Sequence, residues 1–195
     1  MSILPLFPTP VYASVIEEPQ FSLVQAELAK TYELLDKEHA FGDPWNNGRL
    51  LISNKTFNVN LLLQHNCATF LACIDQHARA YLAGVGISNP SYRLESSWMT
   101  LSRRHAYAHV HEHAPSDISG VYYYKTTGDD GNLFFKNPTP LATSPFFLHL
   151  DNAIYRKPAV GHITLWPSWL SHGVETNLTD NERISVSFNL LATNL

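Results

Sequence analysis

Basic charge is scarce in this chain. Its 195 residues carry 13 Lys and Arg against 17 Asp and Glu, a formal net charge of −4, and only 15% of them are charged. A protein that grips nucleic acid needs a clustered basic face to neutralise phosphates, so nucleic acid is not expected as a partner. Long apolar runs are missing too: none approaches the roughly 18 residues that span a bilayer as a helix, and no membrane segment is expected. The opening MSILPLFPTPVYA has no basic leader and is broken by prolines, so the expected setting is the cytoplasm. Cysteine is limited to Cys67 and Cys73. Six residues apart in a stretch that reads as helix, they lie about 240° apart around its axis and cannot face each other. Buried free thiols, suited to a reducing compartment, are expected instead. Repeats, low-complexity tracts and linkers are absent as well. At this length the chain fits one domain, 1–195, that buries roughly 70% of its unfolded surface.

What is present falls into two halves. In 1–90, the prolines of PLFPTPVY (5–12) push their predecessors out of the helical region and predict an extended edge segment. From Gln20, Phe21, Val24, Leu28, Tyr32 and Leu35 recur at helical steps, with Ser22 as an expected cap. Residues 41–54 carry turn chemistry and read as a loop that folds over a site. A second helix is expected from Val59 to Ala83, ended by Gly84 and Gly86. In 91–195, short runs rich in Val, Ile, Tyr, Phe and Thr predict strands at 92–101, 105–113, 118–125, 132–136, 146–150, 162–166, 172–176 and 183–191. GDDG at 128–131 reads as a tight hairpin between the third and fourth of these. The fold class that follows is mainly β, a jelly-roll or cupin-like barrel supported by two N-terminal α-helices.

The chemistry concentrates in HAYAHVHEHAPSDISGVYYY, 105–124. His105, Tyr107, His109, His111 and His113 fall at alternate positions, so a strand would turn them to one face. Imidazoles two apart on a strand grip one transition-metal ion and leave coordination positions open. The plainer alternative is a solvated histidine cluster. Further on, GHITLWPSWLSHG (161–173) delivers His172 at the start of a short strand. NERISVSFNL then places Arg183, Ser185, Ser187 and Asn189 on one face and Ile184, Val186, Phe188 and Leu190 on the other. A guanidinium fork with a hydroxyl two residues on makes an anion clamp. Its plainer alternative is an arginine paired with Asp180, Glu175 or Glu182 at the rim. Trp98, Trp166 and Trp169 read as core or pocket wall.

A histidine on the second strand, another 61 residues later (172 − 111) and an Arg-x-Ser 11 residues after that (183 − 172) resemble the iron(II)- and 2-oxoglutarate-dependent oxygenases. PLFPTPVY, Trp98, the H-x-H before SGVYYY, GNLFFKNP (131–138), LWPSWLSHGV (165–174) and ERISVSFN (182–189) are similar to the small oxygenase family of that superfamily found in bacteria and phages. The resemblance covers nearly the whole chain. It implies a double-stranded β-helix, Fe(II) and 2-oxoglutarate as cofactors, and dioxygen and a prime substrate of unstated class as partners. It carries the metal ligands onto His111, His113 and His172, and the cosubstrate's distal carboxylate onto Arg183 and Ser185, with Tyr123 as phenol donor and Tyr107 behind it. The carboxylate of the usual His-x-Asp/Glu triad is missing, because His113 stands two residues after His111. Glu112 points to the other strand face and does not replace it. The pair His109 and His111 has the same spacing and stays open. Two rivals also stay open: a three-histidine cupin enzyme that does not use 2-oxoglutarate, and a non-enzymatic jelly-roll binding module. A homodimer is compatible with any of these.

Overall fold

The computed structural model describes residues 8–44, 48–53, 59–139 and 152–193. In chain order these form β1 (Tyr12–Val15), α1 (Gln20–Lys37), β2 (Leu50–Ile52), α2 (Leu61–Gln64), α3 (Ala68–Gly84), β3 (Tyr92–Ser102), β4 (Ala108–His111), β5 (Ile118–Lys125), β6 (Leu133–Lys136), β7 (Ala153–Arg156), β8 (His162–Pro167), β9 (His172–Val174) and β10 (Arg183–Ala192). Two antiparallel sheets result, one ordered β1-β8-β5-β10-β3-β2 and one β4-β9-β6-β7.

The larger sheet is a partition between an apolar side and a polar side. On β10, Ile184, Val186, Phe188 and Leu190 join Val24, Leu28 and Leu35 of α1 and Phe70 and Ile74 of α3 in one buried cluster. Arg183, Ser185, Ser187 and Asn189 face a cavity on the opposite side. The period of two along an extended chain sorts them. Gly120 of β5 lies opposite Phe188, and a Cβ there would come within 2.3 Å of the phenyl ring, so the glycine in SGVYYY makes room for the core. The smaller sheet meets the cavity at Leu133, which together with Phe135 packs against Val121, Tyr123 and Trp166 of the larger one.

Several expectations are corrected. The helix expected over 59–83 is two, interrupted at Asn66 with φ +57°, a left-handed conformation that asparagine tolerates. Cys67 therefore precedes α3 instead of lying within it, although both cysteines are buried and free. The N-terminus of α3 is capped from a distance, with Thr69 and Phe70 N–H donating to the Glu27 carboxylate of α1 at 2.8 and 3.0 Å. Ser22 is no cap: it sits inside α1 and donates its hydroxyl to Glu18 at 2.6 Å. The loop expected over 41–54 contains β2, whose Leu50 and Ile52 reach the cavity. GDDG is not a hairpin, because β5 and β6 belong to different sheets and the turn carries the chain across. The described part of the segment expected to be extended at 5–12, from residue 8 on, leads into β1, an edge strand paired with β8, and β7 was not expected. The strand expected at 146–150 and residues 5–7 lie outside the described residues.

Candidate metal centre

The histidine wall is shorter than its alternation suggests. Strand β4 spans only Ala108–His111; His105 adopts φ +65° in the preceding turn and donates its backbone N–H to Asn177. His109 lines the cavity, but its ring packs edge-on against Tyr107 at 4.8 Å, and Tyr107 is itself exposed. His111 pairs with His172 across β4 and β9. His113 lies beyond the strand, where its N–H donates to Ser168 O at 3.0 Å and a turn closes to Ser116. That turn folds its ring back to 4.8 Å from His111 and 5.0 Å from His172, and His111 and His172 are 4.4 Å apart. One ligand nitrogen from each of these three lies within 4.8 Å of the others.

Two of the rings have their tautomer fixed by the backbone. His172 Nδ1 contacts Leu170 O at 2.8 Å, and His111 Nδ1 contacts His109 O at 2.6 Å. A carbonyl can only accept, so both Nδ1 atoms carry a proton and Nε2 is the nitrogen left to ligate a metal, the arrangement found in metal-ligating histidines. Burial, helped by the nearby His111, pushes His113 down to about 4 and His172 down to about 3. Both are neutral donors at neutral pH. Glu112 accepts a hydrogen bond from the Ser171 hydroxyl and is not among the three clustered groups, so the donor set is all imidazole.

The depressed values give the metal-free protein a pH signature. Above pH 6.5 both folded and unfolded states hold these histidines neutral. As pH falls below 6.5 the unfolded chain takes up protons that the folded state refuses, so stability drops until the folded values near 4 and 3 are reached. For His113 alone, a displacement from 6.5 to about 4 corresponds to a loss on the order of 3 kcal/mol. Urea midpoints of metal-free protein are expected to fall between pH 6.5 and 4, and to fall less in His113→Asn; identical pH profiles for the two proteins would contradict this.

Arg183 occupies a seat built by the turn that was expected to be a hairpin. Asp130, fully buried, accepts from the Thr126 hydroxyl at 2.7 Å and from Thr127 N–H at 2.8 Å. This turns the carbonyls of Asp130 and Gly131 onto Arg183 Nη1, at 2.9 and 2.8 Å, while Nη2 donates to Ser102 Oγ at 3.0 Å. Gly131 is required: its φ is +100°, and a Cβ would lie 2.4 Å from Glu175 O. The guanidinium is only 3% exposed, forms no ion pair among the described residues, and has a buried Nε without a partner. The rim carboxylates are otherwise engaged, Asp180 with Arg104, Glu182 with Arg103, and Glu175 with Asn132. An unpaired buried cation on a cavity wall is costly and fits a bound carboxylate. Ser185 pairs with Tyr123 on β5, and both line the same cavity of about 680 Å³. Burial raises the Tyr123 phenol to about 12, so it remains a donor. Trp98 and Trp166 form cavity walls against His113 and His172, whereas Trp169 is 55% exposed and belongs to neither wall nor core.

The arginine seat escaped the sequence reading. The available signal was TTGDDG, hydroxyls preceding an aspartate that takes local hydrogen bonds; nothing local links it to an arginine 53 residues away (183 − 130).

A mainly antiparallel double sheet with three clustered imidazoles and a buried arginine on one cavity makes this a double-stranded β-helix with a candidate metal centre. Residues 96–189, just under half of the chain, match the family described as "Putative 2OG-Fe(II) oxygenase", and the match supports an enzyme of the class that uses Fe(II) and 2-oxoglutarate. The fold is shared with HygX from Streptomyces hygroscopicus, solved with nickel and 2-oxoglutarate (TM-score 0.65, 16% identity, 95% of this chain and 84% of that one). It is also shared with a Pseudomonas putida prolyl-4-hydroxylase (0.64, 18%, 95% and 94%). A third relative in fold is the non-heme alpha-ketoglutarate-dependent epimerase SnoN of nogalamycin biosynthesis (0.68, 18%, 94% and 76%). No curated protein matches the sequence. Among the described residues no helix is long and apolar enough to cross a membrane.

Proposed function

We propose that His111, His113 and His172 hold iron(II), that Arg183, Ser185 and Tyr123 hold the distal carboxylate of 2-oxoglutarate, and that the enzyme hydroxylates a prime substrate with release of succinate and carbon dioxide. The carrying observation is Arg183: a buried cation that forms no ion pair among the described residues and feels the buried Asp130 carboxylate only at longer range, on the wall of the cavity that also contains the three histidines. When bound, iron and 2-oxoglutarate supply oxidative decarboxylation by dioxygen, the chemistry that drives C–H hydroxylation. The protein's part is to orient and to exclude water. Asp130 and Gly131 fix the guanidinium; Tyr123 and Ser185 add hydroxyl donors beside it; Trp98, Trp166, Leu133 and Val121 wall the cavity.

With three neutral ligands the protein contributes no negative charge to the metal, so the dianionic cosubstrate supplies the neutralisation and metal affinity rises when it binds. The reading as a three-histidine enzyme that ignores 2-oxoglutarate leaves Arg183 without a task. The test is anaerobic addition of 2-oxoglutarate to iron(II)-loaded protein. A weak visible charge-transfer band is expected, followed in air by slow succinate formation without any prime substrate. Iron-loaded protein with neither band nor succinate would defeat the proposal.

A further inference from the structure

Among the described residues, just two buried side-chain polar atoms lack a hydrogen-bond partner: Arg183 Nε and Trp166 Nε1. Both residues line the same cavity. Buried donors are nearly always satisfied, so an orphan donor on each of two residues that line one cavity points to a ligand that completes the bonding. Arg183 is accounted for by the proposed function. Trp166 is not, and it stands elsewhere along the sheet. Its strand partner is Ser119, which in turn pairs with Asn189, six residues along β10 from Arg183. The indole is 3% exposed and lies edge-on to His172, at 4.8 Å between ring centroids, and to Phe135 at 5.3 Å.

We infer that Trp166 is a cosubstrate-binding residue: its indole N–H donates to a carboxylate oxygen at the metal-bound end of 2-oxoglutarate, the end opposite the one Arg183 holds. This rests on the proposed function. The indole is held by contacts on both sides, and its polar atom has no protein acceptor and no access to bulk water. An anion that reaches the three histidines brings an acceptor to the end of the cavity where the indole lies. The bond is charge-assisted on the acceptor side, which makes it stronger than a neutral pair. It also selects the chelating orientation, because a ligand that turned away from the metal would leave the N–H unpaired.

The test uses full-length protein loaded with zinc(II), which is diamagnetic and redox-inert, and labelled with 15N at the indoles of its four tryptophans. One indole resonance, identified by its loss in Trp166→Phe, is expected to move downfield when 2-oxoglutarate is added. Trp166→Phe keeps a ring against His172 and removes the donor. Its affinity for 2-oxoglutarate by calorimetry is expected to drop roughly 10-fold or more, with zinc affinity and thermal midpoint unchanged. If the Trp166 resonance stays in place and Trp166→Phe binds 2-oxoglutarate as tightly as wild type, the inference is overturned while the proposed function stands. If zinc affinity falls in parallel, the indole only supports His172 and the inference is likewise overturned. If wild type binds no 2-oxoglutarate at all, the proposed function fails and takes this inference with it.

Discussion

Arg183→Ala is expected to weaken 2-oxoglutarate binding to metal-loaded protein by roughly 30- to 1000-fold, the equivalent of about 2–4 kcal/mol. The size follows from where the charge sits. The guanidinium is 3% exposed and has no carboxylate partner, so a bound carboxylate meets a cation that water does not screen. Truncation also strands the Asp130 and Gly131 carbonyls and the Ser102 hydroxyl that the arginine satisfies, so the thermal midpoint is measured alongside. Arg183→Lys is expected to recover only part of the affinity, because a point charge cannot reproduce the planar fork. Anaerobic calorimetry with manganese(II)-loaded protein reads both. An Arg183→Ala protein that binds 2-oxoglutarate normally would remove the basis for assigning the cosubstrate to this wall.

His172→Ala is expected to abolish the charge-transfer band by a different route, the loss of the metal itself. Removing one of three imidazoles should cost metal affinity at least about 100-fold, beyond the range seen when only a supporting partner of a ligand is lost. Of the two histidines that flank His111, one on β4 and one just past it, His113→Ala is expected to weaken metal binding far more than His109→Ala. His113 stands 4.8 Å from His111 and 5.0 Å from His172, whereas His109 is turned to Tyr107. Metal titrations of the three variants decide this, and equal losses for His109→Ala and His113→Ala would move the site to the other histidine pair.

The legible parts were those governed by local rules. The period of two along 183–191 sorted Arg183, Ser185, Ser187 and Asn189 from Ile184, Val186, Phe188 and Leu190, and the structure keeps that sorting. The helical steps from Phe21 to Leu35 likewise returned as α1 with Val24, Leu28 and Leu35 buried. The failures share a cause. Alternation alone put five residues from His105 to His113 on one face, but β4 ends at His111 and the turns on either side redirect the rest. GDDG has the chemistry of a tight turn whether it joins neighbours in one sheet or crosses between two.

Sequence by itself therefore determined the residue types, the strand faces and the presence of an imidazole cluster with an Arg-x-Ser, because side-chain periodicity and ligand chemistry are properties of the local chain. Tertiary structure alone showed the His113 ring lying beside His111 and His172 while His109 turns to Tyr107, and the buried Asp130 orienting the seat of Arg183. It also decided that the Trp166 donor is left unpaired beside His172. Each of these depends on which distant segments the sheet pairing brings together, and a polar group shows itself as satisfied or orphaned only once every neighbour that could reach it is in place.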